Sequence, residues 1–359
     1  MKQNLQGKLY DVLEARGDPY ERGFEYGSHH KALIRRLLDS HFSYYVKYLG
    51  FDKDSVVREA SLFEEPIKTY SDSVYQEVRG MADGAGLKLD EILVLSAFNE
   101  VFYPKLSKLC TSFAVRGSAT ADGLTYIGQN NDEGIDPWLD GECVVLVRNR
   151  QRDAPDVLTY TYAGVPAMMG INSSGVALCI NALRFEAPRV GVPMLVITRE
   201  LLNQKDLEGA INSIKRANRA YSLNFMIGSP EGIVDVEATP NQVYVTSSNE
   251  ALYHANHYLC PVDGYAENRS GDYYKNSSAR CDRMAELIKV NLGKHTLNTL
   301  MDVLRDHGGV HTICSHPRSD VRKERRSRTL DGMIYIPEKR EAWIARGNPC
   351  KSVFQRYVV

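Results

Sequence analysis

The 359-residue sequence lacks the features that direct proteins to secretion, to membranes or to nucleic acid. Met1 is followed by polar residues, where a signal peptide would have an apolar core. No apolar run reaches the ~18 residues of a membrane-spanning helix, and Tyr357-Val358-Val359 is not a peroxisomal signal. The formal net charge of −1 indicates no strongly charged partner, such as nucleic acid or an anionic membrane. We therefore expect a cytoplasmic globular protein.

The number and spacing of the cysteines do not resemble a disulfide framework or a zinc ribbon. The seven are widely separated and include no CxxC pair: Cys110, Cys143, Cys179, Cys260, Cys281, Cys314 and Cys350. An odd number of widely spaced cysteines suits a reducing compartment. Cys143 and Cys179 lie inside apolar strand patterns, where a free thiol behaves as a small buried hydrophobic group.

Several common catalytic motifs and any sign of domain division are also absent. There is no Walker A motif and no G-x-S-x-G elbow, and the near miss at 170–175 is predicted to be a turn between strands. The basic run at 322–328 is the one dense basic patch, and it predicts a solvated turn or an anion-binding site. Without repeats or low-complexity linkers, we expect a single domain spanning 1–359.

The chain changes character at Cys110. Residues 1–109 are mainly helical in pattern, with a helix beginning at Asp18-Pro19, an N-cap expected at Asp90 and one short strand expected at 8–14. After Cys110, short β-rich runs alternate with turns, and a hairpin closes the chain. Separate helices are expected near 198–203, 207–216 and 279–291. Grouped strands and separate helical blocks predict an α+β fold with antiparallel sheets.

Cys110 opens the first β-rich run directly after a basic and polar stretch. A thiol needs a base to become a good nucleophile, and no histidine adjacent in sequence serves Cys110. If the Leu109–Cys110 bond is cut, Cys110 gains an α-amine with an ordinary pKa of ~7.7–8.0, which suits general-base work. The thiol itself could make this cut by attacking the Leu109 carbonyl. From local sequence alone, an ordinary strand cysteine is an equal alternative.

The order of several segments around Cys110 carries a family resemblance. Before Cys110 stand GDPYERGFEYGSHHKALI and EVRGMADGAGLKLDEILVL; after it come CTS, GQNNDE, GINSSGVALCINAL, GVPMLVITRELL and LYHANH. This order resembles the acyl-coenzyme A:6-aminopenicillanate acyltransferase family of N-terminal-nucleophile hydrolases, also called peptidase family C45. The resemblance implies a four-layer αββα sandwich of two packed antiparallel sheets flanked by helices. It also implies a zymogen that autocatalytically separates segment 1–109 from a catalytic chain, 110–359.

The resemblance implies catalytic roles for three residues. Cys110 corresponds to the self-cleaving nucleophile, which becomes the new N-terminus and carries the acyl group as a thioester. Asp132, in GQNND, corresponds to an aspartate that would hold and polarise the new amine or bind the polar end of the substrate. Asn256, in HANH, corresponds to the asparagine of the oxyanion hole. From the residues alone, Asp132 also fits an Asx turn and Asn256 a simple turn.

The resemblance implies further residues in processing and in substrate binding. Leu109 supplies the carbonyl that is attacked, Ser112 is a hydroxyl close to the nucleophile, and Ser222 is a serine tied to processing. Arg326 corresponds to an arginine on the substrate side. The alternative alignments for this arginine are Arg325 and Arg328.

The sequence leaves open which acceptor receives the acyl group. Attack by water on the thioester would make the protein an amidase, whereas attack by an amine would make it an acyltransferase. We expect a small amide or acyl thioester as substrate, with a coenzyme A thioester as one candidate donor and no cofactor. The expected partner is the cleaved N-terminal segment, and a homo-oligomer is left open.

Two rival interpretations remain. The segment DHGGVHTICSH contains ligand types that zinc accepts and that would suit a metal-dependent amidohydrolase: His307, His311, Cys314 and His316. Gly308-Gly309 argues against the helix that would align two of these histidines, so we expect a loop and no metal. The second rival is an uncleaved, non-enzymatic homologue, against which the retained Cys110, Asp132 and Asn256 argue.

Overall fold

The computed structural model describes residues 7–102, 109–134, 141–317, 319 and 326–359. Across these ranges, the helices all fall short of the length and apolar character needed to cross a membrane. The α-helices are α1 (Pro19–His29), α2 (Lys31–Tyr44), α3 (Lys53–Ser61), α4 (Glu64–Tyr70), α5 (Asp72–Ala85), α6 (Leu89–Ser96), α7 (Phe98–Phe102), α8 (Met194–Leu201), α9 (Leu207–Arg216), α10 (Asp272–Val290) and α11 (Leu297–Leu304). The strands are β1 (Val12–Ala15), β2 (Leu109–Val115), β3 (Tyr126–Gly134), β4 (Val144–Asn149), β5 (Val157–Tyr162), β6 (Met169–Asn172), β7 (Ala177–Ala182), β8 (Leu223–Gly228), β9 (Ile233–Ala238), β10 (Val243–Ser248), β11 (Ala251–His254), β12 (Ser327–Ile336), β13 (Glu341–Arg346) and β14 (Gln355–Val358).

The strands form a larger and a smaller sheet. The larger has eight strands in the order β1-β4-β5-β6-β7-β8-β9-β10, and the smaller has six in the order β11-β2-β3-β12-β13-β14. Neighbouring strands are antiparallel, as the sequence predicts, with the exception of the parallel pair β1–β4. β1 reaches β4 from the distant helical segment, so no hairpin forces the pair to be antiparallel.

The two sheets pack face to face between two helical layers. β2 and β3 of the smaller sheet lie against β7 and β8 of the larger. Apolar side chains of α10 and α11 cover the opposite face of the smaller sheet. The earlier helices share a core with the larger sheet, to which the Tyr26 hydroxyl donates a hydrogen bond at the Tyr162 carbonyl, 3.0 Å away. The predicted α+β sandwich with four αββα layers is thus confirmed.

Helix starts follow local capping chemistry. Asp18 caps α1 as predicted, since its side chain accepts from the Glu21 N–H while the Glu21 carboxylate accepts from the Asp18 N–H. The prediction that Asp90 caps the later helix is wrong. The cap of α6 is Lys88, whose N–H donates to the Glu91 carboxylate, and Asp90 lies within the first turn. A carboxylate three residues beyond the cap satisfies the exposed N–H here.

The segment before Cys110 is built into the fold. β1 forms an edge of the larger sheet beside β4. Arg199 on α8 makes a two-pronged contact with Glu77 on α5 at 2.8 and 3.0 Å, and both side chains are buried. Separating the two parts of the chain would therefore break a sheet edge and expose a buried ion pair.

Candidate active site

Cys110 is the second residue of β2, between β11 and β3, and its side chain is buried. Side chains alternate along a strand. Ser112, two residues on, donates to Asn181 of the larger sheet, so this face of β2 looks between the sheets. Thr111 on the opposite face contacts Arg280 of α10, so that face looks towards the outer helices. The peptide bond between Leu109 and Cys110 thus joins a residue that faces the outer helices to one that faces the space between the sheets.

An apolar pocket lies on the Cys110 side of the strand. Its cavity volume is about 20 Å³, so the lining side chains pack closely around the thiol. Polar lining comes from β3, since Gln129, Asn131 and Glu133 alternate onto the same face as Cys110. The principal apolar lining residues are Phe98, Met168, Ile180, Leu195, Tyr221 and Leu223. The apolar character of this lining matches an apolar acyl group, which would have to displace these side chains to reach the thiol.

A polar pocket opens on the other face of β2. Its cavity volume is about 520 Å³, and Leu109 and Asp132 are among the residues that line it. The remaining walls carry cationic and imidazole side chains, among them Arg280, His311 and Arg326. Ser327 and Thr312 add hydroxyl groups. This chemistry suits a polar or anionic leaving group or acceptor.

Asn256 holds the backbone nitrogen of Cys110. The Cys110 N–H donates to Asn256 Oδ1 at 2.8 Å, and Arg280 Nη2 donates to the same oxygen at 2.8 Å. Two donors converging on one atom identify it as the carbonyl oxygen of the amide. Asn256 Nδ2 donates to the Ala182 carbonyl at 3.1 Å. Asn256 therefore contacts the nucleophile through its acceptor, a contact that the sequence did not predict.

Arg280 is one of two residues of this site that the sequence did not predict. Its guanidinium is buried and donates to the Cys110 carbonyl at 2.6 Å, to Thr111 Oγ1 at 2.5 Å and to Asn276 Oδ1 at 2.9 Å. Burial lowers the pKa of Arg280, while Asp132 acts in the opposite direction. In the sequence it resembles any solvated arginine of an amphipathic helix, because only tertiary packing shows that it is buried.

Asp132 faces the polar pocket with one unsatisfied oxygen. Oδ1 accepts from the Thr329 hydroxyl at 2.5 Å, whereas Oδ2 is buried and has no hydrogen-bond partner among the described residues. Burial raises the pKa of Asp132 to about 7, and Arg280 acts in the opposite direction. Asp132 pairs across the strands with Leu109, the residue that cleavage would detach from Cys110. The carboxylate is thus close to any amine formed there.

Gln129 is a second residue that the sequence analysis did not single out. Its Oε1 accepts from the Ile180 N–H at 2.9 Å, while Nε2 is buried without a partner in the described part of the chain. Gln129 lines the pocket that contains the Cys110 thiol. An unsatisfied donor beside a nucleophile is a candidate for binding an acyl oxygen. The sequence did contain a signal for this position. Gln129 is two residues before Asn131 in GQNND, and alternate residues of a strand point to the same face.

The two serines occupy different positions. Ser112 donates to Asn181 Oδ1 at 2.6 Å, which ties β2 to β7 across the sheet interface. Ser222 lines the apolar pocket with Cys110. The structure brings Ser222 to the candidate site, whereas Ser112 contacts the second sheet.

Arg326 lines the polar pocket together with Leu109 and Asp132. Its Nη2 donates to the Ser319 carbonyl at 3.2 Å. Of the alternative alignments, Arg325 lies outside the described residues. Arg328 is on β12 and pairs in register with Glu133.

The histidines of HANH support Asn256 from either side. His254 Nε2 lies 2.9 Å from Glu237 Oε1; burial alone would lower the pKa of His254, but Asp235 and Glu237 raise it to about 9. His257 Nδ1 lies 2.8 Å from Ser277 Oγ, which accepts the Asn256 N–H at 2.5 Å. Burial lowers the pKa of His257 to about 4. A charged and a neutral imidazole therefore fix the turn that presents Asn256.

The segment DHGGVHTICSH forms a loop after α11, as expected. Its residues separate into two groups. His311 Nδ1 lies 2.7 Å from Asn276 Nδ2 and faces the polar pocket. His307, Cys314 and His316 lie together, and Cys350 from the end of the chain joins them.

Comparisons with known proteins identify the family. A model of the acyl-coenzyme A:6-aminopenicillanic acid acyl-transferase family matches residues 118–351, a region that begins after Cys110. The acyl-coenzyme A:6-aminopenicillanic-acid-acyltransferase 40 kDa form of Emericella nidulans is 26% identical over 256 residues, covering 69% of each chain. Protein dcd1A of Dictyostelium discoideum is 24% identical over 269 residues, covering 64% of this chain and 60% of that protein.

Solved structures with lower sequence identity also match. A mutant of conjugated bile acid hydrolase from Clostridium perfringens is 13% identical, with a TM-score of 0.46 over 70% of this chain and 97% of that one. Penicillin V acylase from Agrobacterium tumefaciens is 11% identical, with a TM-score of 0.46 over 66% and 83% of the two chains. Because the family model matches well over half of the sequence, the chain belongs to the acyl-coenzyme A:6-aminopenicillanic acid acyl-transferase family.

Proposed function

We propose that the protein is a self-processing enzyme that transfers or hydrolyses acyl groups through a thioester on Cys110. The observation that carries the proposal is the Cys110 backbone nitrogen, which is held by Asn256 at 2.8 Å between an apolar and a polar pocket. An ordinary core cysteine needs neither a buried arginine at its carbonyl nor two pockets at its peptide bond. Membership of an acyl-transferase family supports the same chemistry.

Processing would use the thiol of Cys110 on its own chain. The sulfur attacks the Leu109 carbonyl carbon, the C–N bond breaks, and the freed amine takes the thiol proton. Water then hydrolyses the Leu109 thioester, which releases a carboxylate and regenerates the thiol. The products are segments 1–109 and 110–359, and the second begins with Cys110.

The new amine would find acceptors already in position. Asn256 Oδ1 accepts from this nitrogen before cleavage and can continue to do so afterwards. The unsatisfied Oδ2 of Asp132 lies in the pocket that Leu109 lines, where departure of Leu109 leaves space. An amine held by these oxygens has its lone pair available to accept the thiol proton, as a general base requires.

Turnover would divide the substrate between the two pockets. The acyl group enters the apolar pocket and forms the thioester, while the leaving group or acceptor occupies the polar pocket. The oxyanion would be stabilised by Gln129 Nε2, which has no partner in the described chain. A second donor would be the Asn256 N–H that is not used by Ala182. No step requires a cofactor, and a coenzyme A thioester serves as a donor substrate.

The test is to trap the acyl-enzyme. Matured protein is mixed with an aromatic acyl-coenzyme A thioester, quenched in acid and mapped by peptide mass, with 6-aminopenicillanic acid added as acceptor in a parallel reaction. We expect the adduct on Cys110 in the wild type and in Cys143→Ala, whose thiol lies in the core. An adduct on another residue, or turnover by Cys110→Ala, would contradict the proposal. Faster loss of the adduct with the amine than with water alone would favour transfer over hydrolysis.

A further inference from the structure

Four side chains converge beside the polar pocket. His307 Nε2 lies 3.0 Å from His316 Nε2, and Cys314 Sγ and Cys350 Sγ lie 3.7 and 3.3 Å from the same His316 nitrogen. All four ligand atoms lie within 4.8 Å of one another. We propose that these residues bind one zinc ion with a structural role.

The spacing of these atoms suits a single tetrahedral ion. Zinc binds sulfur at ~2.3 Å and imidazole nitrogen at ~2.0–2.1 Å, so ligand atoms at tetrahedral angles are separated by roughly 3.3–3.8 Å. Around His316, the separations of 3.3 and 3.7 Å lie within that range and the separation of 3.0 Å is a few tenths of an ångström too short. The remaining ligand pairs are separated by 4.8 Å at most, so ion binding would draw the widest pair together by no more than roughly 1 Å. Two cysteines with two histidines are a common ligand set of structural zinc sites.

The surrounding residues hold the ligands in this arrangement. Asn348 Nδ2 donates to the Cys314 sulfur at 3.6 Å and to the Ser315 carbonyl at 2.7 Å. Arg305 Nε donates to the Pro349 carbonyl at 3.2 Å, next to Cys350 in the chain. The hydrogen bond to the Cys314 sulfur is of the kind that orients ligands in metal sites, while the other two hold the backbone next to the ligands.

The site joins parts of the chain that are distant in sequence. Three ligands are on the loop after α11, and Cys350 is on the short turn Pro349–Lys351 that precedes β14. Cys350 and His316 are 34 positions apart. Because Cys350 is so far from the segment DHGGVHTICSH, the local sequence predicts no metal and groups His311 with the other three residues.

The presence of four protein ligands indicates a structural ion and not a catalytic one. A catalytic zinc keeps a coordination position for water or substrate, whereas four protein ligands fill a tetrahedral shell. The ion would fix the loop whose His307 and His316 line the polar pocket, so it would shape the acceptor side of the site without entering the reaction.

Metal content tests the proposal. The reduced protein is exposed to excess zinc, freed of unbound metal by gel filtration and analysed by elemental mass spectrometry. We expect about one zinc per chain in the wild type and in Cys260→Ser, a matched control whose side chain lines a different pocket together with Tyr258 and Glu267. Cys350→Ser and His316→Asn should retain well below half of that, with the fold of each variant checked by circular dichroism.

Cobalt spectra give a second measurement that does not depend on activity. Cobalt(II) added to apoprotein should give the intense absorption of a tetrahedral thiolate site in the wild type, and this absorption should be lost in Cys350→Ser. Chelation should lower the melting temperature of the wild type and leave that of Cys350→Ser unchanged. Three outcomes would overturn the proposal: no zinc in the reconstituted wild type, equal zinc in Cys350→Ser, or a Cys314–Cys350 disulfide in protein purified under reducing conditions.

Discussion

Around Cys110, the charge of Arg280 is the dominant electrostatic feature. The guanidinium is almost completely buried and donates to the Cys110 carbonyl and to the acceptor atom of Asn256, which places a positive charge at the Cys110 peptide. A positive charge at this position holds the chain directly after the proposed cleavage point in place. The carboxyl group of Asp132 acts against the effect of burial on Arg280 and raises the pKa of the guanidinium. Asp132 and Arg280 therefore set the electrostatics of the site together.

Asn256→Ala should lower the kcat of matured protein by roughly 10²–10³-fold, the loss typical of one missing oxyanion donor. KM should change little, because the ground-state carbonyl gains less from that donor than the oxyanion does. The measurement is steady-state kinetics on protein whose cleavage has been verified. A wild-type kcat would exclude Asn256 from catalysis and leave it as a structural turn residue.

Asp132→Asn should change how the stability of the uncleaved protein depends on pH. Burial raises the pKa of Asp132 from 3.8 to about 7, so the folded state holds the proton more tightly than the unfolded state does. The resulting stabilisation is fully present below pH ~3.8 and is lost as the pH rises to about 7.

The measurement is urea unfolding between pH 4.5 and 8 in a Cys110→Ala background, which keeps the chain intact. The variant with Asp132→Asn should lose less unfolding free energy over this range than the background protein. The other carboxyl groups whose raised pKa lies in this range, Asp235, Glu267 and Asp331, are present in both proteins, so the difference between the two profiles reports on Asp132. Parallel pH profiles would mean that Asp132 does not carry the buried titration.

The packing of helix α1 against helix α5 explains why the two N-terminal segments are rich in glycine. Gly23 and Gly27 on α1 meet the α5 backbone, and Gly80 and Gly84 on α5 meet the α1 backbone. A Cβ at Gly80 would lie 2.1 Å from the Tyr20 carbonyl oxygen, and one at Gly23 would lie 1.9 Å from the Glu77 carbonyl oxygen. The glycines in GDPYERGFEYG and EVRGMADGAG therefore allow the two helices to pack at backbone contact.

Gly80→Ala should lower the free energy of unfolding although alanine is the better helix former. The helix-propensity gain of about 1 kcal/mol is opposed by ~1–3 kcal/mol of overpacking, because the clash is with backbone and cannot be relieved by a side-chain rotation. Gly209→Ala is the matched control, since a Cβ there meets only side-chain atoms at 3.1 Å or more. If Gly80→Ala is as stable as Gly209→Ala in urea unfolding, the helices are not in close contact.

The buried pair of Glu77 and Arg199 links α5 to α8 across the proposed cleavage point. Glu77→Ala leaves a buried guanidinium without its partner, which should reduce the free energy of unfolding by about 3–5 kcal/mol. Glu286→Ala removes half of the solvent-exposed pair with Arg283 and should change it by ~0–1 kcal/mol. Equal effects of the two substitutions would show that the interior pair is not desolvated as described.

The helical start, the β-rich continuation and the boundary at Cys110 could be predicted from the sequence, because periodicity and turn residues are local signals. α9 spans Leu207–Arg216, as its pattern predicts. α11 was not predicted, and α10 begins earlier, at Asp272. The contributions of Arg280 and Cys350 could not be predicted, since each depends on a partner far away in sequence and on burial that helix or loop patterns do not reveal.

At the scale of the whole molecule, the proposed cleavage leaves two pieces that the fold keeps together. Tyr10 in the first piece donates to Asp331 in the second at 2.7 Å, and β1 remains paired with β4. Phe98 on α7 lines the pocket of the Cys110 thiol. The first piece is therefore part of the core and of the substrate pocket, and we expect it to stay bound after cleavage.

Intact mass under denaturing and native conditions tests the central claim most directly. Purified wild-type protein, incubated until active, should separate under denaturing conditions into pieces ending at Leu109 and beginning at Cys110, and native conditions should return one complex with their summed mass. Cys110→Ala should remain a single chain of 40.4 kDa in both conditions. A single uncut chain in fully active wild-type protein would contradict the account, because Cys110 would then have no free amine to act as its base.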